Sequence, residues 1–176
     1  IRDSIIALHS AATQYLRHPP TSVDVAVDLP DGRRLTGTVP DVRDKTLVTV
    51  QFSALAPQHR FAAWLRLLAV AATTGEPDWQ AVTIGPRQAG APTARRSALT
   101  APSDPEHLLQ QLVDVYDKGL CEPLPLAPKT AEKYVSRRMA GESVAEAMAD
   151  ARVVWTTTRG GYGENSDAAV RYLHGP

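Results

Sequence analysis

Residues 23–72, VDVAVDLPDGRRLTGTVPDVRDKTLVTVQFSALAPQHRFAAWLRLLAVAA, carry the pattern of three strands followed by a helix. Apolar side chains occupy every second position from Val23 to Leu29. An Asp-Gly pair then turns the chain into residues 33–39, so these two runs predict a β-hairpin. The third strand and the helix are predicted over residues 47–52 and 58–72.

The predicted helix at residues 58–72 has a wide apolar stripe, so we expect it to be mostly buried. The residues that form this stripe are Phe61, Trp64, Leu65, Leu68, Ala69 and Ala72, with Leu67 and Val70 beside them. A Gly-Glu-Pro sequence ends the helix, and residues 79–84 predict another strand. Because a strand that follows a helix implies an α/β layer, we expect a mixed central sheet flanked by helices.

Outside this region the chain divides into a leading helix, a basic loop and a helical section. Residues 5–16 place apolar side chains three and four positions apart, and His-Pro-Pro then ends this helix. Residues 85–102 are rich in Gly, Pro, Ala and Ser and contain Arg87, Arg95 and Arg96 without an acid. This composition predicts a long basic loop that is either a contact arm or a mobile solvent loop.

The last part of the chain is predicted to be helical. A capping box of Ser103 and Glu106 begins one helix, which Gly119 closes, and a second box of Ser143 and Glu146 begins another. Prolines and leucines in residues 121–128 indicate an extended subdomain boundary. The further helices are predicted over residues 130–139, 143–155 and 166–173. We therefore expect one nuclease-like domain over residues 1–176, made of a leading helix (1–20), a sheet with central helix and basic loop (21–102) and a helical section (103–176).

The composition favours a folded globular protein without a strong overall electrostatic field. The chain has 176 residues, 43% apolar and 22% charged, which is enough to bury a core. Nineteen basic and nineteen acidic residues cancel, so any contact with DNA must be local. The single Cys121 fits a reducing compartment, and no apolar run reaches bilayer length, so we expect a cytoplasmic location and no membrane contact. The absence of an initiator Met predicts that the chain begins inside a longer protein.

No recognisable catalytic motif stands out among the polar residues. Asp28 lies at the end of the predicted hairpin and Asp41 in a turn-like sequence, where solvated or backbone-bonded aspartates are common. Neither the histidines nor the serines form a nucleophile motif, and no Cys/His cluster has metal spacing. A second basic grouping, diluted by acids, is predicted to be a solvated helix face rather than a phosphate-binding strip. Its members are Lys129, Lys133, Arg137, Arg138, Arg152 and Arg159.

Three segments carry a family resemblance. They are AAWLRLLAVA (62–71), HLLQQLVDVYDKGLCEPL (107–124) and GENSDAAVRYLH (163–174). On these segments the chain resembles the C-terminal domain of RecC, the gamma subunit of exodeoxyribonuclease V, the RecBCD complex. The helix that ends in Tyr, a charged pair and Gly before a short Pro-Leu segment is the most specific of them.

The resemblance implies a restriction-endonuclease-like fold, of the PD-(D/E)xK type, whose catalytic function has been lost. In that family a metal-binding aspartate lies on the second strand and an acid-x-lysine motif on the third. Pro40 would stand in place of the aspartate, Val50 in place of the acid and Phe52 in place of the lysine. Asp41 is one residue away, and a shift of one residue on a regular strand reverses the face, so we do not expect Asp41 to restore a site.

The resemblance also implies the setting of this domain. Its partners would be the RecB and RecD subunits and DNA ends held within the complex, and the domain would bind no cofactor or metal of its own. ATP and Mg²⁺ would act in the other subunits of the parent enzyme, the ATP-dependent exodeoxyribonuclease V. The domain would then serve subunit interaction and DNA-end handling during double-strand break repair and recombination.

Two other functions remain open on the sequence. An active metal-dependent nuclease would need Asp28, Asp41 and Glu76 to converge on one cation. A stand-alone DNA-binding module would need a contiguous basic face. The candidate residues for such a face are Arg87, Arg95, Arg96 and Arg159.

Overall fold

A computed structural model of the chain describes residues 1–88, 90–124, 126–156 and 163–174. Its strands are β1 (Thr21–Asp28), β2 (Arg34–Arg43), β3 (Thr46–Val50), β4 (Gln80–Pro86) and β5 (Ala94–Thr100). Its α-helices are α1 (Arg2–Ala12), α2 (Pro57–Thr74), α3 (Pro105–Cys121), α4 (Pro128–Met139), α5 (Val144–Thr156) and α6 (Ala168–His174), with a 3₁₀ turn at Glu164–Ser166. None of the helices in these described ranges is both long and apolar enough to cross a membrane.

The five strands form one mixed sheet in the order β1-β2-β3-β4-β5. The first three strands make an antiparallel meander, α2 then connects β3 to a parallel β4, and β5 returns antiparallel along β4. A parallel neighbour requires a crossover of helix length, which α2 provides. The predicted α/β class, mixed sheet and helical final section are confirmed.

Apolar side chains pack on both faces of the sheet. One cluster joins the sheet to α2 and includes the fully buried Leu67, Leu68 and Val70. A second, smaller cluster joins α1 to the other face through Val82 and Ile84 of β4. The strand β4 is therefore covered on both sides, which explains its uninterrupted apolar run.

The buried stripe of α2 differs from the predicted one at its first turns. Phe61 and Leu65 are 52% and 40% exposed, whereas Ala63, Leu67 and Val70 face the sheet. The prediction was wrong at Phe61 and Leu65 because α2 is apolar over more than half of its circumference. Such a pattern does not specify which side of the helix is covered.

The prediction of one long loop over residues 85–102 was also wrong. Strand β4 continues to Pro86, and Ala94–Thr100 is a strand that pairs with β4 over its whole length. This strand forms because the edge of β4 provides backbone hydrogen-bond partners along its whole length. Such tertiary pairing cannot be seen in a sequence rich in Gly and Pro.

One of the two capping boxes predicted from the sequence is observed, at α5, and the other, at α3, is not. At α5 the Ser143 hydroxyl accepts the Glu146 N–H (3.3 Å), and the Glu146 carboxylate accepts the Ser143 hydroxyl and N–H. The predicted capping box is confirmed there, and these bonds lower the pKa of Glu146. At α3 the cap is Asp104, whose carboxylate accepts the His107 N–H, and the helix runs past Gly119 to Cys121.

The chain divides into two compact units. The sheet unit comprises residues 1–116, and the helical unit comprises residues 117–176. In the helical unit, the Glu164 carboxylate accepts the N–H groups of Lys129 (3.1 Å) and Thr130 (2.8 Å), which caps the start of α4.

Candidate functional site where strands β3 and β4 end

The three positions proposed for a lost metal motif are all on the surface of the sheet unit. Pro40 lies on β2 and is exposed, Val50 is the last residue of β3, and Phe52 follows the strand. Val50 and Phe52 are 47% and 52% exposed. None of these side chains carries an oxygen or nitrogen donor, so they offer no ligand to a hard cation.

Pro40 and Val50 lie on the same face of the sheet. Val50 is in register with Ile84 of β4, which packs under α1, so Val50 lies on the α1 face. Pro40 follows Val39, whose side chain belongs to the cluster under α2, so alternation places Pro40 on the α1 face as well. A carboxylate at each position would therefore point to the same side of the sheet.

Strand β2 contains an extra residue next to Pro40. Val39 and Val42 both pack into the α2-side cluster although they are three positions apart, and Asp41 between them has a left-handed φ of 57°. Such an irregularity is a β-bulge, and the pairing of β1 with β2 shifts at the same point. Strict alternation, which would turn Asp41 towards the α2 side, does not hold here, because Val42 takes that side and Asp41 is exposed.

The carboxylates required by an active nuclease do not converge. Asp28 faces Arg34 at one end of the hairpin (3.5 Å), and Asp41 lies seven positions further along β2, roughly 20 Å away at the rise of a strand. Glu76 instead contacts Lys45 (3.1 Å). Within the described ranges no group of three or more His, Cys, Asp or Glu residues could hold a metal ion.

The arginines predicted on one loop lie on opposite faces of β5. Arg96 is in register with Ile84 and bonds the Tyr15 hydroxyl (2.6 Å) on the α1 side. Arg95 is in register with Gly85, on the α2 side. Arg87 is exposed just beyond β4. The sheet therefore places Arg95 and Arg96 on opposite faces, so they do not form the contiguous basic face that a stand-alone DNA-binding module would need, and Arg159 lies outside the described residues.

Arg95 has a basic neighbour that the sequence analysis did not single out. Arg60, in the first turns of α2, has its pKa lowered first by burial and then by the positive charge of Arg95. The first turn of α2 contains no acidic residue, and its N-cap is Ala56. An arginine near the start of a helix whose first turn lacks acids opposes the helix dipole, and that signal could have identified Arg60 from the sequence.

An aromatic pair accompanies Arg60 on α2. The Phe61 ring lies 6.1 Å from the half-buried Trp64 ring at an angle of 49°, and about half of Phe61 is exposed. The sequence favoured core packing for Trp64, and its contact with the α2-side cluster agrees. The start of α2 therefore presents positive charge and an aromatic face to solvent side by side.

Two members of the second basic grouping, Lys133 and Arg137, form ion pairs within the helical unit. Arg137 pairs with Glu142 (2.6 Å) and with Asp150, and Lys133 also pairs with Asp150 (3.4 Å). The hydrogen bond from Arg137 lowers the pKa of Asp150. These charges join α4 to α5, as expected of a solvated helix face.

Comparison with known proteins places most of the chain in a family. A family model described as the RecC C-terminal domain matches residues 1–139. The RecBCD enzyme subunit RecC of Mycolicibacterium smegmatis is 41% identical over 142 residues, which cover 81% of this chain and 13% of that protein. The RecBCD enzyme subunit RecC of Mycobacterium tuberculosis (strain H37Rv) is 39% identical over 153 residues, which cover 87% of this chain and 14% of that protein. The chain thus spans about one seventh of the length of these relatives.

Proposed function

The chain belongs to the RecC C-terminal domain family, and from this membership we propose that it is a non-catalytic domain of a RecBCD-type helicase and nuclease. Its role is to contact the partner subunits RecB and RecD and to help guide DNA ends during double-strand break repair and recombination. ATP and Mg²⁺ act in the other subunits, and the assembly works in the cytoplasm. The domain itself provides a binding surface and does not catalyse a reaction.

One observation carries the non-catalytic assignment. The meander of three strands, the crossover helix and the parallel fourth strand form the framework on which a nuclease of the resembled family places its metal ligands. Pro40, Val50 and Phe52 occupy the proposed ligand positions on that framework. Phosphodiester cleavage by a hard cation needs carboxylate oxygens at such positions, and these side chains have none.

Exposed apolar residues of the helical unit support a role in subunit contact. Leu120, Met139 and Tyr172 are mostly exposed, with Met139 at 84%. The buried apolar residues described in this unit are two alanines of α5, Ala147 and Ala151. Large apolar side chains left on the surface of a small unit are typical of regions that pack against another protein.

The first test is metal binding and DNA cleavage by the full chain. We expect calorimetric titration with Mg²⁺ and Mn²⁺ to give no saturable heat, and incubation with linear duplex and single-stranded DNA to give no products. Asp41→Ala is the informative variant, because Asp41 is the exposed acid nearest to the proposed motif. Saturable Mn²⁺ binding with cleavage that Asp41→Ala abolishes would show that the domain is a nuclease.

A further inference from the structure

Strand β5 is an edge strand, and half of its backbone groups point away from the sheet. Just after the strand, the Ala101 N–H donates to the Trp79 carbonyl oxygen (2.9 Å). Just before it, the Thr93 carbonyl oxygen accepts the Arg87 N–H (3.4 Å). Odd-numbered residues on this side therefore bond β4, and because bonding alternates along an antiparallel pair, the even-numbered residues of β5 direct their N–H and C=O groups outward. These outward residues are Ala94, Arg96, Ala98 and Thr100.

The outward backbone groups of β5 have no partner within the described part of the sheet unit, residues 1–88 and 90–116. No backbone or side-chain hydrogen bond there reaches any of the four N–H groups, and none of the four residues is a proline, so each has its donor. The other edge of the sheet differs, because the Ala26 N–H of β1 donates to the Thr73 hydroxyl of α2 (3.2 Å). The β5 edge is thus open over seven residues, roughly 23 Å at the rise of a strand.

This open edge carries positive charge on both faces of the sheet. Arg96 lies on the α1 side, where its guanidinium donates to the Tyr15 hydroxyl (2.6 Å), and Arg95 lies on the α2 side. No carboxylate of the described residues pairs with either arginine, and residues 85–102 contain no acid. A strand added to this edge would place a side chain about 5 Å from each arginine, one on each face. Opposite charges stabilise such cross-strand pairs, so the edge favours an acidic segment.

The second half of β5 favours apolar neighbours next to the acids. Leu99 packs against the α2-side cluster but stays partly exposed, so an apolar side chain beside it would complete its burial. Ala98 and Thr100 are exposed and small, which leaves room on the α1 side for larger side chains. The fitting segment therefore combines acids opposite the arginines with β-branched residues further along, and β-branched residues also favour the extended conformation.

We propose that β5 binds an extended acidic segment of another protein as an additional strand of the sheet. The outward N–H and C=O groups of β5 bond the backbone of that segment, and its acidic side chains pair with Arg95 and Arg96. Such strand addition gives affinity through the main chain and specificity through the side chains. The inference rests on the proposed function and deepens it, because it assigns the subunit contact to one edge and to one kind of partner.

The test is binding of fluorescein-labelled peptides to the full chain, measured by fluorescence anisotropy. The probe is a peptide of about nine residues, rich in valine and threonine, with two adjacent glutamates at its centre, and the matched probe carries two lysines instead. We expect saturable binding of the glutamate peptide and no saturable binding of the lysine peptide. Arg95→Gln should weaken binding of the glutamate peptide roughly two- to fivefold. Arg66→Gln, on the exposed side of α2, should leave it unchanged.

A proline at an outward position separates strand addition from simple attraction between charges. Ala98→Pro removes an outward N–H and no bond to β4, a change that edge strands tolerate. We expect it to weaken binding of the glutamate peptide roughly three- to tenfold, as the loss of a hydrogen bond does. Ala98→Val keeps the N–H and the charge and should bind like the unaltered chain.

Amide exchange of the unaltered chain gives a second readout that needs no substitution. When the glutamate peptide binds, the amide protons of Arg96, Ala98 and Thr100 should exchange more slowly, because they acquire partners. Those of Ser97 and Leu99 already bond β4 and should change little. This alternation, followed by NMR, is specific to an added strand and tests the edge even if Ala98→Pro unfolds the chain.

Several outcomes would overturn the proposal. They are no saturable binding of the glutamate peptide, equal binding of both peptides, and binding that Ala98→Pro leaves unchanged in the folded chain. A concentration-dependent dimer that Ala98→Pro abolishes would assign the edge to a second copy instead.

Co-purification with RecB and RecD tests the proposed function separately. Retained assembly without binding of the glutamate peptide would refute the edge and leave the subunit contact intact. Peptide binding with the alternating exchange pattern, but without assembly, would refute the contact with RecB and RecD and support the edge.

Discussion

At the scale of single residues, Asp31 joins the first hairpin to α3. Its carboxylate accepts the Arg33 N–H (3.0 Å), the Arg33 Nε–H (2.7 Å) and an amide N–H of Gln110 (2.9 Å). The Asp-Gly turn itself was evident from the sequence, because the turn residues are local. The bond to Gln110 was not, because it spans 79 positions and depends on how α3 packs. The influence of Arg95 on Arg60 was missed for the same reason, since it depends on the pairing of β5 with β4.

The hydrogen bonds to Asp31 predict a pH-dependent stability. Donation from the Arg33 side chain, above all, holds the pKa of Asp31 well below its ordinary value. A depressed pKa in the folded state stabilises the fold above the unfolded-state pKa, about 4, and this contribution is lost as the pH falls below that value. We expect Asp31→Asn to lower the urea midpoint at pH 7, with the difference from the unaltered chain shrinking in acid. Asp28→Asn is the control, because Asp28 lies at the same hairpin with a side chain that is 79% exposed. A difference between Asp31→Asn and the unaltered chain that stays constant at all pH values would contradict the assignment.

At the scale of elements, the sheet unit was predictable where a pattern is local and repeated. The alternation in β1, the Asp-Gly turn before β2 and the long apolar run of α2 identified these elements to within a few residues. Strand β5 was not identified, because ARRSALT is polar and becomes a strand only by pairing with β4. The buried side of α2 was mistaken at Phe61 because a helix with an apolar arc this wide does not reveal its orientation.

Close packing around Gly85 makes a second prediction. A Cβ at this position would lie 2.9 Å from the Leu55 side chain and 3.1 Å from the Ser53 carbonyl oxygen. We therefore expect Gly85→Ala to lower the free energy of unfolding by about 1–3 kcal/mol, as overpacking does. Gly37→Ala on β2 is the matched control, because nothing lies within 4 Å of its added Cβ, and it should be neutral or slightly stabilising. Chemical denaturation measures both, and equal effects would exclude a steric cause.

At the scale of the whole molecule, the two units differ in how much they bury. The sheet unit has cores on both faces of β4, whereas α4 of the helical unit has no buried residue. The sequence predicted a subdomain boundary at the Pro- and Leu-rich residues 121–128, whereas the compact units divide at residue 116, inside α3. The candidate site was only partly predictable, since β5 separates its arginines between two faces.

This difference in burial predicts a difference in hydrogen exchange. We expect amide protons of α4 and α5 to exchange through local opening, much faster than those of β4 and the middle of α2, which should require global unfolding. If the proposed contact with RecB and RecD covers the exposed apolar residues of α4 and α5, exchange in these helices should slow on assembly. Uniform exchange rates in the isolated chain, or unchanged rates in α4 and α5 on assembly, would contradict the prediction. Hydrogen–deuterium exchange followed by mass spectrometry measures both states.

The position of Arg95 and Arg96 on β5 has a consequence for solubility. An outer strand exposes unpaired backbone groups that invite another copy to add on and begin an aggregate. Strand β5 is an edge strand of the sheet and carries a positive charge on each face. If the β5 strand of a second copy paired with it, like charges would come together on both faces. Arg95 and Arg96, which lie on opposite faces of the sheet, therefore also disfavour self-association at this edge.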